Sequence, residues 1–236
     1  MSSNHYIGVD LGGTKILAGV FDRNLKCLVS DKNKTKAALG YSGVKERIIE
    51  TIKGALHLSG TDISNVKGIG IGAPGTISKD GESVLFAPNL DWREVPLKAD
   101  IEVELGCPVW LGNDCSVATM GIHRHELDSK HKNMICIFLG TGIGGGIISN
   151  GVILKGETQA AGEVGHMVLD PKGPLCGCGV RGCYEALASR TAIYNKIKNA
   201  VENGEQTVLV EDGIKNLTKI RSGKLRRAVE AGDRLA

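Results

Sequence analysis

Two α/β domains, the second carrying a metal-binding loop, are predicted for this chain by three observations. A strand, a glycine-rich turn and another strand occur twice, as IGVDLGGTKILAGVFD and as CIFLGTGIGGGIISNG. Apolar residues at helical spacing separate and follow the two copies. The stretch EVGHMVLDPKGPLCGCGVRGCYE, residues 163–185, gathers one histidine and three cysteines among glycines. A boundary is expected near residues 117–132, dividing 1–118 from 119–236.

Each element follows from local pattern. HYIGVD and ILAGVFD are β-branched and strand-length, so the polar Gly-rich link between them reads as a hairpin. A Lys-rich hydrophilic stretch comes next, with no element assigned. Apolar positions Val44, Ile48, Ile49, Ile52, Ala55 and Leu56 then predict a helix over 44–58. VKGIGIGAPGTI is a buried strand running into a loop, and PVWLGND is another strand. Asp114 is expected to cap a helix from Cys115 to about Glu126. NMICIFLG and IISNGVIL are strands around the second Gly-rich turn. An extended loop carries the cysteines, and a helix is expected from Glu185 to Asn203. The tail reads as one or two further helices, ending at AVEAGDRLA with no cap and no closing strand.

Composition excludes several classes of function. At 236 residues the chain has room for one large or two small domains, at roughly 100–200 residues each. Its 33 glycines are about twice the usual ~7% share and cluster in a few loops, which points to backbone approaching ligands closely. Aromatics make up 4%, too few for base-stacking platforms. The net charge of +3 is evenly spread, and KLRR at Lys224 to Arg227 reads as a solvated helix face, so no nucleic acid is expected. No apolar run approaches the ~20 residues that span a membrane, and MSSNHY lacks a signal-peptide core; no membrane partner and a cytoplasmic location are expected. Cys27, Cys107, Cys115 and Cys136 are expected as buried free thiols. The other three cysteines, close to a histidine, suit a reducing compartment.

His166, Cys176, Cys178 and Cys183 have the donor set of a closed tetrahedral zinc site. The flanking glycines let a short loop aim several ligands at one point. A structural zinc ion would hold Glu163 and Glu185 close by, and carboxylates of this kind accept the vicinal hydroxyls of a sugar. His166 has two ring nitrogens, one for metal and one for a hydroxyl; a purely structural knuckle is the plainer alternative.

DLGGTK, residues 10–15, sets the amides of Gly12, Gly13 and Thr14 beside a hydroxyl and Lys15, a concave site for phosphate. Asp10 ends the first strand and suits a hydrated Mg²⁺. Gly-Gly hairpins often hold no ligand, but LGTGIGGG offers a second such loop with Thr141 and Gly142. Two GxGxxG matches are decoys: the one at Gly140 leads into a strand rather than a helix, and Pro74 removes an amide donor from the one at Gly70. No GxxxxGK[ST] occurs. Asn113–Asp114 stands where a strand meets a helix; Asp114 reads as a cap, as a general base, or as both.

Taken together, DLGGTK, GIGAPG (residues 70–75), NLDW (residues 89–92), the Asn-Asp pair, LGTGIGGG and EVGH…CGCGVRGCYEALAS resemble the ROK family of bacterial sugar kinases and related repressors. The matches run from residue 7 to about 189. The resemblance implies an actin-like, ribonuclease-H-like fold of two α/β domains, with sugar and ATP meeting in the cleft. It implies phosphorylation of a hexose, glucose before N-acetylmannosamine, N-acetylglucosamine, mannose or fructose, usually at the 6-hydroxyl with Asp114 as base. Gly75, Asn89, Asn113, Glu163, His166 and Glu185 would hold the sugar, while Asp10, Gly12, Gly13, Thr14, Lys15, Thr141 and Gly142 would face the ATP phosphates and Mg²⁺. A homodimer is one assembly the resemblance implies. Family members continue beyond the helix matching AVEAGDRLA into a strand, an adenosine loop and a final helix, so the chain reads as C-terminally truncated. A sugar-binding relative without turnover is therefore an alternative. A repressor is a more distant one, because nine residues precede Asp10 where a helix-turn-helix would stand.

Overall fold

The computed structural model describes residues 4–210 and 222–235, which divide into two compact units. Unit 1 takes Met1–Cys136 with Gly146–Gly162, and unit 2 takes Ile137–Gly145 with Glu163–Ala236.

Unit 1 is built on a five-stranded sheet. Strands β1 (His5–Leu11) and β2 (Lys15–Phe21) form the expected antiparallel hairpin. The Lys-rich stretch after it is a third strand, β3 (Cys27–Lys34), antiparallel to β2. Its residues alternate between exposed and half-buried, so no apolar stripe marks it. Strand β4 (Val66–Ala73) lies parallel to β1, giving the order β3-β2-β1-β4-β8 once β8 (Val109–Asn113) is added parallel to β4.

Helix α1 (Gly40–Ser59) covers one face of this sheet. Its buried Val44, Ile48, Ile52 and Ala55 pack in one core with Ile7, Val9, Ile16, Ala18, Ile69 and Ile71. Strand side chains alternate between faces, and on the other face Gly19, Gly8, Gly70 and Trp110 stand in register across four strands. A small antiparallel sheet of β5 (Thr76–Ile77), β6 (Val84–Ala87) and β7 (Trp92–Val95) fills a stretch the sequence left open. It buries Trp92, 1% exposed, with its ring edge-on to Tyr41. Helix α2 (Leu97–Leu105) completes this core through Leu97 and Ile101.

After β8 comes α3 (Asp114–Gly121), which passes into a π-helical turn over Ile122–Glu126. The cap is Asn113 and not Asp114: the Asn113 carbonyl oxygen accepts the Ser116 amide, and Asp114 is the first helical residue. Strands β9 (Met134–Leu139), β10 (Ile143–Ser149) and β11 (Val152–Ile153) form a sheet in the order β11-β10-β9. The second strand–turn–strand copy therefore also folds as neighbouring strands, with β10 starting at Ile143 directly after the turn.

In unit 2 the cysteine stretch is a loop closed by isolated bridges, Val168 with Cys183 and Leu175 with Arg181. The helix expected over 185–203 is two helices, α4 (Tyr184–Ala188) and α5 (Arg190–Glu202). Ser189 separates them, extended in backbone, its hydroxyl accepting the Ala192 amide as the cap of α5. Helix α6 (Ser222–Glu230) carries Lys224 to Arg227, with Arg226 and Arg227 exposed as expected. The rest of the predicted tail helix, residues 211–221, lies outside the described residues. Ile197, Leu209 and Ala228 form a small core. Of the four scattered cysteines only Cys107 is buried; Cys27 on edge strand β3 is exposed, and Cys115 in the first turn of α3 and Cys136 on edge strand β9 are intermediate. Among the described residues no helix is long and apolar enough to cross a membrane.

Candidate active site and metal centre

In unit 1 the carboxyl ends of three parallel strands meet. Asp10 of β1 lies opposite Gly72 of β4, which lies opposite Gly112 of β8, and Asn113 follows beside Ala73. Ligands of open α/β sheets bind at such strand ends. The side chain of Asn113 makes three hydrogen bonds. Its carbonyl oxygen caps α3 at 3.0 Å, and its amide donates to the Gly75 carbonyl at 3.1 Å and to Asp114 Oδ1 at 3.2 Å. Asp114 Oδ1 also accepts the Cys115 amide at 2.8 Å, so Oδ2 takes no part in these bonds. Burial pushes the Asp114 carboxyl above the ordinary carboxylate range, and the nearby Asp10 charge pushes the same way, against the Cys115 hydrogen bonds. A carboxylate with a raised affinity for protons is suited to accept one.

Gly75 adopts φ +86°, a conformation side chains rarely take, and a β-carbon there would overlap the Phe86 carbonyl. Only glycine brings the Gly75 carbonyl to Asn113 at this turn. Asn89 is exposed in a single 3-10 turn, Pro88–Leu90, close enough to the first glycine loop that a β-carbon on Gly13 would stand 3.4 Å from its Cβ. In that loop the Gly12 amide is committed to the Lys15 carbonyl at 2.9 Å, leaving Gly13 and Thr14 as donors; both are exposed, as is Lys15.

Thr35, fully buried, holds the loop from behind. Its hydroxyl donates to the Gly12 carbonyl at 2.6 Å and its amide to the Thr14 carbonyl at 3.0 Å. Sequence reasoning missed Thr35, which stands 23 residues from Gly12, just past the end of a strand with no apolar stripe. A cavity of about 750 Å³ opens on the sheet face opposite α1, over Gly8, Gly70 and Gly72, and reaches Asp10, Asn113 and Trp110.

In unit 2 the loop brings four predicted ligands together. One donor atom each from His166, Cys176, Cys178 and Cys183 lies within 4.8 Å of all the others, the one such cluster among the described residues. Cys178 and Cys183 sulfurs are 3.6 Å apart, and Cys176 Sγ is 3.6 Å from His166 Nδ1. Zinc–sulfur bonds of about 2.3 Å at tetrahedral angles put sulfurs about 3.8 Å apart, so both spacing and donor chemistry fit that ion. Gly182 makes the closure possible: at φ +75° its α-carbon sits against the Asp170 carbonyl, where a β-carbon would overlap it. With Nδ1 turned to the cysteines, His166 Nε2 faces Glu163 Oε2 at 3.9 Å. Glu185 lies in the first turn of α4, its Oε1 3.9 Å from Cys176 Sγ and its Oε2 accepting the Ile143 amide at 2.8 Å.

Thr141 and Gly142 form the turn between β9 and β10, where the Gly140 amide donates to the Gly142 carbonyl at 2.9 Å. Arg190 and Thr191, which the sequence did not flag, also hold this turn: the Arg190 amide bonds the Gly140 carbonyl at 3.1 Å and the Thr191 hydroxyl bonds the Thr141 carbonyl at 2.7 Å.

Comparison with known proteins places these features. The chain is 40% identical over 212 residues to a glucokinase of Streptomyces coelicolor, an alignment covering 88% of this chain and 64% of that one. It is 30% identical over 196 residues to the xylose repressor of Bacillus subtilis, covering 83% of this chain and 50% of the repressor. The crystal structure of a ROK family glucokinase from Streptomyces griseus, in complex with glucose and AMPPNP, superposes with a TM-score of 0.83 at 39% identity over 98% of this chain and 72% of that one. The fold is thus the actin-like α/β fold of the ROK sugar kinases, with its cysteine–histidine loop present. The chain spans just under two thirds of the length of that Streptomyces coelicolor relative. The ROK family profile matches residues 6–236, and the chain belongs to the ROK family.

Proposed function

We propose that the protein phosphorylates a hexose, glucose first, at its 6-hydroxyl with ATP. The observation that carries this reading is Asp114: a half-buried carboxyl with raised proton affinity, held by Asn113 and Cys115 at the end of a parallel strand beside Asp10. Asp114 takes the proton of the sugar hydroxyl as its oxygen attacks the γ-phosphorus, and ADP leaves with the bridging oxygen. Such transfers rest on positioning and charge stabilisation. Residues 1–118 supply Asp10, which suits Mg²⁺, the amides of Gly13 and Thr14, Lys15, and the sugar contacts Gly75 and Asn89. Residues 119–236 supply Thr141 and Gly142 toward phosphate and Glu163, His166 and Glu185 toward sugar hydroxyls. Bound at His166, Cys176, Cys178 and Cys183, a zinc ion would act as a structural tie that fixes the loop. A cytoplasmic homodimer using no nucleic acid or membrane completes the reading.

The 40% identity to a glucokinase supports it, as does the relative that binds glucose and AMPPNP. The similarity to a xylose repressor favours a second reading, a sugar-binding protein without turnover. An ADP-release assay across glucose, mannose, N-acetylmannosamine, N-acetylglucosamine and fructose separates them. Turnover is expected on glucose and is expected to fall by about 10²–10⁴ in Asp114→Asn. Turnover that survives Asp114→Asn removes the general base; glucose raising the Tm with no turnover on any sugar selects the second reading.

A further inference from the structure

The second glycine-rich turn is held from outside more than from within. Beyond its internal Gly140–Gly142 bond, its carbonyls and amides are met by residues of the segment that carries the metal ligands. Arg190 and Thr191 take the carbonyls of Gly140 and Thr141. Gly165, next to the ligand His166, lies so close to the Ile143 carbonyl that a β-carbon there would overlap it. Glu185 takes the Ile143 amide at 2.8 Å with one oxygen and stands 3.9 Å from the ligand Cys176 with the other. Cys183, a further ligand, begins α4 two residues before Glu185, so fixing that sulfur fixes the carboxylate. The fit is tight from the turn's side too, since a β-carbon on Gly142 would overlap the Glu185 carboxylate.

We infer that Glu185 is a positioning residue coupling the metal cluster to the second glycine-rich turn: metal loading sets the geometry of residues 140–143, and that turn in return sets metal affinity. Reciprocity is required of any such coupling, because one free energy links the two events. The inference rests on the metal loading proposed above.

The test reads zinc affinity and amide exchange in the full chain, not activity. Zinc affinity is measured by competition with a chelating dye, with metal analysis of each sample. Gly142→Ala, at a residue that is no metal ligand, is expected to weaken zinc binding by about 10–100-fold, the range seen when groups that orient a metal's ligands are lost. Gly140→Ala is the control: its added methyl meets nothing nearer than the Gly142 carbonyl at 3.8 Å, and its zinc affinity is expected to match wild type. Glu185→Gln, which keeps an acceptor for the Ile143 amide, is expected to lose less than Glu185→Ala, and serves if Gly142→Ala does not fold. Exchange of the Ile143 amide is expected to quicken about tenfold when zinc is stripped, within the usual range of coupling between sites. Zinc affinities of Gly142→Ala and Glu185→Ala within about twofold of wild type, or Ile143 exchange indifferent to zinc, overturn the coupling. A chain that binds no zinc at all overturns the metal reading with it, and metal analysis tells that case from one in which zinc binds but ignores residue 142.

Discussion

Burial raises the proton affinity of Asp114 and the Asp10 charge adds to it, so the carboxyl that suits catalysis is also a liability to folding. A group whose folded pKa lies above its unfolded value favours the folded state below the unfolded pKa, and that advantage is lost as pH rises through the folded pKa. At neutral pH the ionised Asp114 therefore opposes folding. Asp114→Asn is expected to raise the Tm at pH 7, with the gain disappearing near and below the ordinary carboxylate pKa of about 3.9, as calorimetry at a series of pH values would show. A Tm unchanged at pH 7 would mean the carboxylate is better solvated than its burial implies. Asp114 was legible in the sequence as a carboxylate at a strand end, but its neighbour's task was not. Asn and Asp rank alike as helix caps, and only the folded turn at Gly75, which occupies the Asn113 amide, separates their duties. Thr35 was illegible for another reason: its partners, Gly12 and Thr14, are brought to it by sheet pairing and not by local sequence.

Elements with an apolar period were read correctly, and those without one were missed or fused. Helix α1 and the β1–β2 hairpin follow their patterns. CLVSDKNK in β3 is polar from Ser30 onward and exposes Lys32 and Lys34, as suits an edge strand. The single helix expected over 185–203 breaks because Ser189 competes for backbone amides more readily than it continues a helix. Its hydroxyl is committed to the Ala192 amide while the residue is almost wholly buried. Ser189→Ala is expected to cost about 1 kcal/mol in urea unfolding, more than a surface serine would. The cysteine loop was legible from donor count and glycine spacing, because closing it needs a left-handed residue at Gly182 and a small one at Gly173.

At the scale of the molecule the two units differ in what holds them. Unit 1 has an extended core running from Ile7 through Ile48 and Ile71 to Val109. Unit 2 has a core of Ile197, Leu209 and Ala228, and the zinc ion proposed at its cysteine–histidine cluster would tie its loop. A small core depends on such ties. Calorimetry is expected to show two transitions, the lower one shifted down further by a zinc chelator and the upper one unmoved. A single transition that ignores the chelator would count against a structural metal. The family resemblance was legible throughout residues 7–189, since glycines at loops and ligands in clusters leave marks that core residues do not. The indole rings add something practical. Trp92, 1% exposed, and Trp110, 63% exposed, are the chain's two tryptophans, and both belong to unit 1. The unit with the cysteine–histidine cluster is therefore dark to tryptophan emission, and the lit unit carries one shielded and one quenchable fluorophore, the second of them bordering the cavity beside Asp10.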